Sequence, residues 1–174
     1  MRKLLPLTLF LSACSAFTPA PQPVVYDLGP APAGQIEAPV RLVDVSAPSW
    51  VDGVAMAYRL DYADGRQRQV FRDSRWLASP AELIAARLRQ RLQTQGDALA
   101  LRIELETFEQ DFSAPAQSEV RVRLRARLGT SVPAERVFEA HLPAGADAAS
   151  GVQALARASD ALLGEVLTWA AQTR

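Results

Sequence analysis

The alternation of apolar and charged residues in two successive runs is the feature that most restricts how this chain can fold. In residues 99–105 every second residue is aliphatic, and in residues 120–128 aliphatic residues alternate with arginines at 121, 123, 125 and 127. A period of two places the apolar side chains on one face of a strand. The two runs therefore predict an antiparallel hairpin with one buried face and one charged face.

The segment between these runs predicts how the two strands pair. Residues 113–117 read as the turn, with a hairpin centred near Ala114, and a third strand follows over residues 136–142. This register places Glu106 opposite Arg123 and Glu104 opposite Arg125. The alternation breaks at residues 107–108, which predicts a bulge there.

The arginine row has two interpretations. It is either a basic strip that binds lipid phosphates or an acidic partner, or a solvated strand face neutralised by neighbouring carboxylates. We favour the neutralised face, because paired surface charges are ordinary in strands.

The remaining segments predict further strands and two helices. Strands are expected at residues 24–28, 40–45, 56–62 and 67–71, with Asp64-Gly65 as a type I′ hairpin turn. Ser79-Pro80-Ala81-Glu82 is a capping box that starts a helix running to about Gln93, and Gly96-Asp97 follows it. The last helix is expected over residues 144–172, with Gly151 and Gly164 marking an irregular start and a close contact. The order predicts a single α+β domain: a mainly antiparallel sheet with two helices packed on one face.

The N-terminus predicts an exported protein that carries a lipid. Residues 1–3 include two basic residues, an apolar run covers residues 4–11, and Leu11-Ser12-Ala13-Cys14 ends it. This layout is typical of a signal peptide, and it is too short for a spanning helix, which needs about 20 residues. The four residues match the lipobox of bacterial lipoproteins. We therefore expect residues 1–13 to be removed and Cys14 to carry acyl chains such as palmitate.

Residues 14–23 are predicted to tether the domain of residues 24–174. The tether holds three prolines at alternate positions, and at roughly 3.1 Å per residue it spans some 25–30 Å. Ser15 follows the cysteine in place of the aspartate that favours inner-membrane retention in enteric-type bacteria. The expected location is therefore the periplasmic face of the outer membrane.

Composition and motifs argue against several classes of function. Basic and acidic residues number 19 each, which is unlike the basic excess of nucleic-acid-binding proteins. One histidine, His141, and one cysteine, Cys14, cannot form a zinc site, and no phosphate-binding loop is present. We predict a protein that is not an enzyme, with no catalytic residue, metal or cofactor, and His141 as a surface or strand-rim residue.

Two tryptophans are candidate partner contacts. Trp50 lies among Pro, Ser, Asp and Gly in a predicted turn, so it is the better interface candidate. Trp76 comes just before the capped helix, where a core position is the stronger interpretation. Arg75 precedes Trp76 directly. The tentative partner-binding residues are therefore Trp50, Arg75 and Trp76.

Nearly the whole chain resembles the ABC-type transport auxiliary lipoproteins, the family of the outer-membrane lipoprotein of the paraquat-inducible (Pqi) operon. The matching features are the lipobox at Cys14, the segment Tyr26 to Pro30, the strand containing Arg59, the Arg75-Trp76 pair before the first long helix, and the terminal helix. Residues 47–52, Ala-Pro-Ser-Trp-Val-Asp, depart from the Pro-x-Tyr-Leu-Asp of relatives, although Trp50 keeps an aromatic there.

The resemblance implies a non-enzymatic auxiliary or docking component of an ABC lipid transport system. The implied partners are an MCE-domain periplasmic protein and the permease and ATPase, with several copies of the lipoprotein assembling. The alternatives are a lipid-binding module, which needs an apolar cavity between sheet and helices, and a structural lipoprotein for outer-membrane assembly.

Overall fold

The computed structural model describes residues 22–173. The signal peptide, Cys14 and most of the tether lie outside the described residues. In chain order the elements are β1 Val24–Tyr26, β2 Ile36–Ser46, β3 Ala55–Leu60, α1 Asp61–Asp64, β4 Arg68–Trp76, α2 Pro80–Arg91, β5 Leu92–Ala114, β6 Gln117–Leu128, β7 Ala134–Ala144 and α3 Ala148–Gln172.

The seven strands form one mixed sheet, so the expected mainly antiparallel sheet is wrong. The strand order is β1-β4-β3-β5-β6-β7, and β2 pairs with β5 as well. Three pairings, β1 with β4, β2 with β5 and β3 with β5, are parallel. The 23-residue strand β5 makes this possible, because β2 pairs with its first half and β3 with its end.

The hairpin of β5 and β6 and the following strand β7 are confirmed. Glu104 lies opposite Arg125, as expected, and the register shifts between Leu105 and Thr107. Because this bulge takes up Glu106, Arg123 lies opposite Thr107 instead. The turn falls between Ala114 and Gln117, slightly later than the predicted centre.

β3 and β4 pair antiparallel, but they are not joined by the predicted type I′ turn. Residues Asp61–Asp64 form the short helix α1, and Gly65 has a φ of −62°, in the right-handed helical region. A type I′ turn needs positive φ at both central residues. The local Asp-Gly preference is therefore overridden by one turn of helix.

Helix α2 begins as the sequence predicts. The Ser79 side chain accepts from the backbone N–H of Glu82, and the Glu82 carboxylate accepts from the backbone N–H of Ser79. This reciprocal pair satisfies two of the amides that a helix start leaves without intrahelical partners. The helix ends at Arg91 and β5 begins at the next residue, so Gly96, at φ +57°, lies within a strand.

Helix α3 covers the apolar side of the strands. It contacts β7, β6, β2 and β5, whereas α2 contacts β2, β5 and α3. The core contains the aliphatic residues of the alternating runs, including Leu101, Leu105 and Leu124, each with no exposed surface. That both long helices share one face stays a prediction.

Two glycines of α3 behave differently. A side chain at Gly151 would collide with Gln110 of β5, whereas nothing lies within 4 Å of one at Gly164. The expected close contact is therefore at Gly151.

Within residues 22–173, no helix is both long and apolar enough to cross a membrane.

Candidate functional site

The structure exposes two of the three tentative partner residues and buries the third. Trp50 is 70% exposed in the turn after β2, and Arg75 is exposed on β4 opposite Ala55. Trp76 is 2% exposed and packs on Phe108, with ring centroids 5.4 Å apart. Only Trp50 and Arg75 therefore lie where a partner reaches them without rearrangement, and Trp76 belongs to the core.

The arginine row of β6 is neutralised by carboxylates on both neighbouring strands. Arg123 and Arg125 share Glu106 on the bulge of β5, with nitrogen–oxygen distances of 2.7 Å each. On β7, Glu139 pairs with Arg123, and Glu135 pairs with Arg125 and Arg127. Hydrogen bonds from Arg127 and Arg125 hold the pKa of Glu135 below its usual value. This face is a charge-balanced ladder, not a basic strip.

His141 lies on the same charged surface, as expected of a rim residue. Its Nδ1 is 3.0 Å from Glu119 Oε1, and its Nε2 is 3.0 Å from Glu139 Oε1. These two hydrogen bonds raise the pKa of His141. Among residues 22–173 no cluster of three metal-ligating side chains forms, and His141 acts as a bridge between strands.

A buried charge cluster lies where β3, β4, β5 and β6 meet. The Glu109 side chain, 4% exposed, is 2.9 Å from Arg59, 3.0 Å from Arg68 and 3.5 Å from Arg121. Asp111 is 2.8 Å from Arg121. Burial raises the pKa of Asp111 to about 6, Arg121 opposes this, and Glu109 adds to it.

This cluster was not predicted from the sequence. The five residues 108–112 are all buried. The signal was present in Phe108-Glu-Gln-Asp-Phe112, where aromatic residues enclose polar ones inside a strand. Since arginines bind both carboxylates, the arrangement is a buried ion-pair network, and such networks perturb pKa values.

A groove of about 850 Å³ lies beside β1. Residues 25–30 and Leu77 form one wall of the groove. The first half of α3, from Ala149 to Asp160, forms the other wall. A hydrogen bond of 2.7 Å from Leu77 N–H to Tyr26 C=O joins the ends of β4 and β1. The groove lies between β1, at the edge of the sheet, and α3, and it is open to the surface.

Arg87 of α2 fixes the wall of this groove from beneath. Its side chain is 2% exposed, and its Nη2 donates to the carbonyl oxygens of Leu28 and Gly29, the latter at 2.9 Å. Its Nε is 3.6 Å from Asp160 Oδ1, and Arg91 Nη1 is 3.8 Å from the same atom. Burial raises the pKa of Asp160 although both arginines oppose this.

The burial of Arg87 was also not predicted from the sequence. Its position three residues after Ile84 and four after Leu83, both buried, was the available signal.

Comparison with solved structures shows the same fold in two crystal structures. Protein XCC0632 from Xanthomonas campestris, of the family DUF330, superposes with a TM-score of 0.68 at 19% identity, over 87% of this chain and 92% of that one. An uncharacterized protein superposes with a TM-score of 0.64 at 16% identity, over 88% of this chain and 99% of that one.

No curated protein matches the sequence. The sequence model of the family described as ABC-type transport auxiliary lipoprotein component matches residues 26–166, which is most of the chain and all of the sheet except β1's first residues. The chain belongs to the family of ABC-type transport auxiliary lipoprotein components.

Proposed function

We propose that this protein is a non-enzymatic docking component of an MCE-type ABC lipid transport system, held on the periplasmic face of the outer membrane by lipid on Cys14. The family match over residues 26–166 carries the proposal, since it associates the chain with ABC transport. The lipobox sequence supports the lipid anchor. The pairing of the buried carboxylates with arginine supports the non-catalytic role.

The anchor follows from the chemistry of Cys14. One acyl chain holds a protein on a membrane only marginally, whereas two or more hold it stably. We expect Cys14→Ser to release the protein into the soluble periplasmic fraction, and Ser15→Ala, as a matched control, to leave it in the outer membrane. Outer-membrane fractionation of Cys14→Ser would contradict the anchor.

The docking role predicts a specific partner. A tagged protein solubilised in detergent should co-purify with an MCE-domain protein, and permease and ATPase genes should lie next to its own. Trp50 and Arg75 are the proposed contacts, because both are exposed and a large aromatic contributes strongly to interfaces.

A matched pair of variants tests this surface. We expect Trp50→Ala together with Arg75→Ala to reduce recovery of the MCE protein, and Val132→Ala, at a residue 93% exposed, to leave it unchanged. Failure of the unaltered protein to recover any MCE protein would remove the docking role. The alternative, a lipid-binding or structural lipoprotein for outer-membrane assembly, would then be favoured, because the surface groove beside β1 is largely apolar.

A further inference from the structure

The groove beside β1 leaves large apolar groups in contact with water. Val25 is 44% exposed and Leu77 is 65% exposed, while Leu28 and Val152 are mostly buried and form its floor. Its volume of about 850 Å³ lies within the range of small-molecule sites. Residues 149–160 of α3 give it a length of roughly 16 Å at 1.5 Å per residue. A long, narrow apolar ligand fits this shape better than a compact one.

The charges at one end of the groove add a preference for an anionic group. Beneath that end, Arg87 and Arg91 share the single carboxylate of Asp160, which leaves one positive charge in excess. Arg87 Nη1 is buried and has no hydrogen-bond partner within residues 22–173. Arg157 lies exposed on the rim and forms no ion pair within the same residues.

The remaining carboxylate of the groove does not cancel this excess. Asp27 Oδ1 accepts a hydrogen bond of 2.7 Å from the backbone N–H of Gly29, so this carboxylate stabilises the local turn. Counting Arg87, Arg91 and Arg157 against Asp27 and Asp160 leaves one net positive charge. An amphiphile with an apolar tail and an anionic head group complements both the floor and the rim.

The position of the groove indicates where such a ligand comes from. Its wall begins at Val25, and Cys14 lies only eight residues before Gln22, the first described residue. The eleven residues from Cys14 to Val25 span at most roughly 40 Å when fully extended. If Cys14 is acylated, the start of the groove therefore lies within that distance of the bilayer surface.

We propose that the groove between β1 and α3 holds one acyl chain of an anionic membrane phospholipid, with the head group at Arg157. This rests on the proposed function and gives it a lipid site. The tail lies along Val25, Leu77, Val152 and Ala156. The site is open along its length, so a chain enters it laterally from the membrane without unfolding the core.

Photo-crosslinking tests the site directly. The full-length protein, purified from membranes, is incubated with vesicles of phosphatidylethanolamine and phosphatidylglycerol in which the phosphatidylglycerol carries a diazirine on one acyl chain. We expect labelled peptides from residues 22–30 and 149–160. Labelling confined to other regions of the domain would overturn the proposal.

Variants at the groove separate specific labelling from surface adsorption. Leu77→Ser combined with Ala156→Trp removes an exposed apolar wall and fills the floor, and we expect labelling to fall about tenfold. Val132→Ser removes a comparably exposed apolar side chain elsewhere and should leave labelling unchanged. Arg157→Glu should abolish the preference for phosphatidylglycerol over a phosphatidylcholine probe. Undiminished labelling in the double variant overturns the site.

Other occupants give distinct outcomes. Cross-links from a diazirine amino acid at position 156 to residues 15–21 of the same chain, or to a second copy, would overturn the acyl-chain site. Loss of lipid labelling with MCE protein still recovered overturns this inference alone. Labelling of the groove without recovery of any MCE protein supports the site and removes the docking role.

Discussion

At the scale of single residues, Arg87 connects three parts of the molecule that are far apart in sequence. It belongs to α2, binds the carbonyl oxygens of Leu28 and Gly29 after β1, and pairs with Asp160 of α3. A buried charge is costly unless hydrogen-bonded and paired. One guanidinium therefore holds the loop after β1, in addition to the pairing of β1 with β4.

We expect Arg87→Met to lower the free energy of unfolding by about 3 kcal/mol. The substitution removes the arginine that pairs with Asp160 and donates hydrogen bonds to two carbonyl oxygens, those of Leu28 and Gly29. Arg89→Met, at an exposed position on the same helix, should change it by less than about 0.5 kcal/mol. Urea unfolding of both variants measures the difference. Equal stability of the two variants would show that Arg87 does not hold the segment.

Asp111 predicts a pH dependence of stability. Its pKa is about 6 in the folded protein because of burial, against about 3.9 for an unfolded chain. The folded state thus keeps a proton that the unfolded state has released between these values. This contribution to the free energy of unfolding is fully present below about pH 4 and is lost as the pH rises through about 6.

We expect Asp111→Asn to remove this component, which amounts to about 2 to 3 kcal/mol between pH 4 and pH 7. Urea unfolding across that range compares the pH slopes of the variant and the unaltered protein, which cancels the effect of other carboxylates. Asp44→Asn, on an exposed residue of β2, serves as the control. Identical slopes for Asp111→Asn and the unaltered protein would argue against a buried, proton-binding Asp111.

At the scale of elements, the approach of α3 to β5 depends on a missing side chain. Gln110, 2% exposed, donates to Ser118 Oγ and to the Gly145 carbonyl oxygen, both at 2.8 Å, and its amide lies against Gly151. The helix and strand can approach this closely only because Gly151 has no Cβ.

We expect Gly151→Ala to destabilise the protein by about 1 to 3 kcal/mol, because the new methyl group displaces Gln110. Gly164→Ala, on the same helix with open space around it, should stabilise by about 0.5 to 1 kcal/mol through helix propensity. Thermal unfolding followed by circular dichroism measures both shifts. A stabilising Gly151→Ala would contradict the close approach.

Elements defined by local sequence were predictable and long-range pairings were not. The capping box fixed the start of α2, and the alternation on either side of one short turn fixed the pairing of β5 with β6. The direction of β2 and β3 against β5 depends on partners about 50 residues away, and no local pattern encodes it. The mixed sheet was missed for this reason.

Of the candidate site residues, only their exposure or burial could be predicted from local sequence. Trp50 is exposed in a turn as its polar neighbours indicated. The burial of Arg87 and Asp111 depends on which elements cover them, and a single strand or helix does not determine that. The groove likewise requires β1 and α3 to meet, although they lie more than 100 residues apart.

At the scale of the whole molecule, we expect the core to fold without the proposed anchor. The buried apolar residues of the described part begin at Leu28, after the tether. We expect Cys14→Ser to keep the same urea midpoint and tryptophan fluorescence as the acylated protein in detergent, while its membrane fractionation changes. A change of more than about 1 kcal/mol in the free energy of unfolding would show that the anchor contributes to folding.

The shortness of β1 has a mechanical consequence. Only three residue pairs join it to β4, and its following loop is held by Arg87. Tension applied to a membrane-attached N-terminus is therefore borne by these few bonds before it reaches the core. Breaking these bonds would let residues 22–30 extend while the rest of the domain stays folded. The extended segment would add roughly 30 Å to the distance that the tether can span.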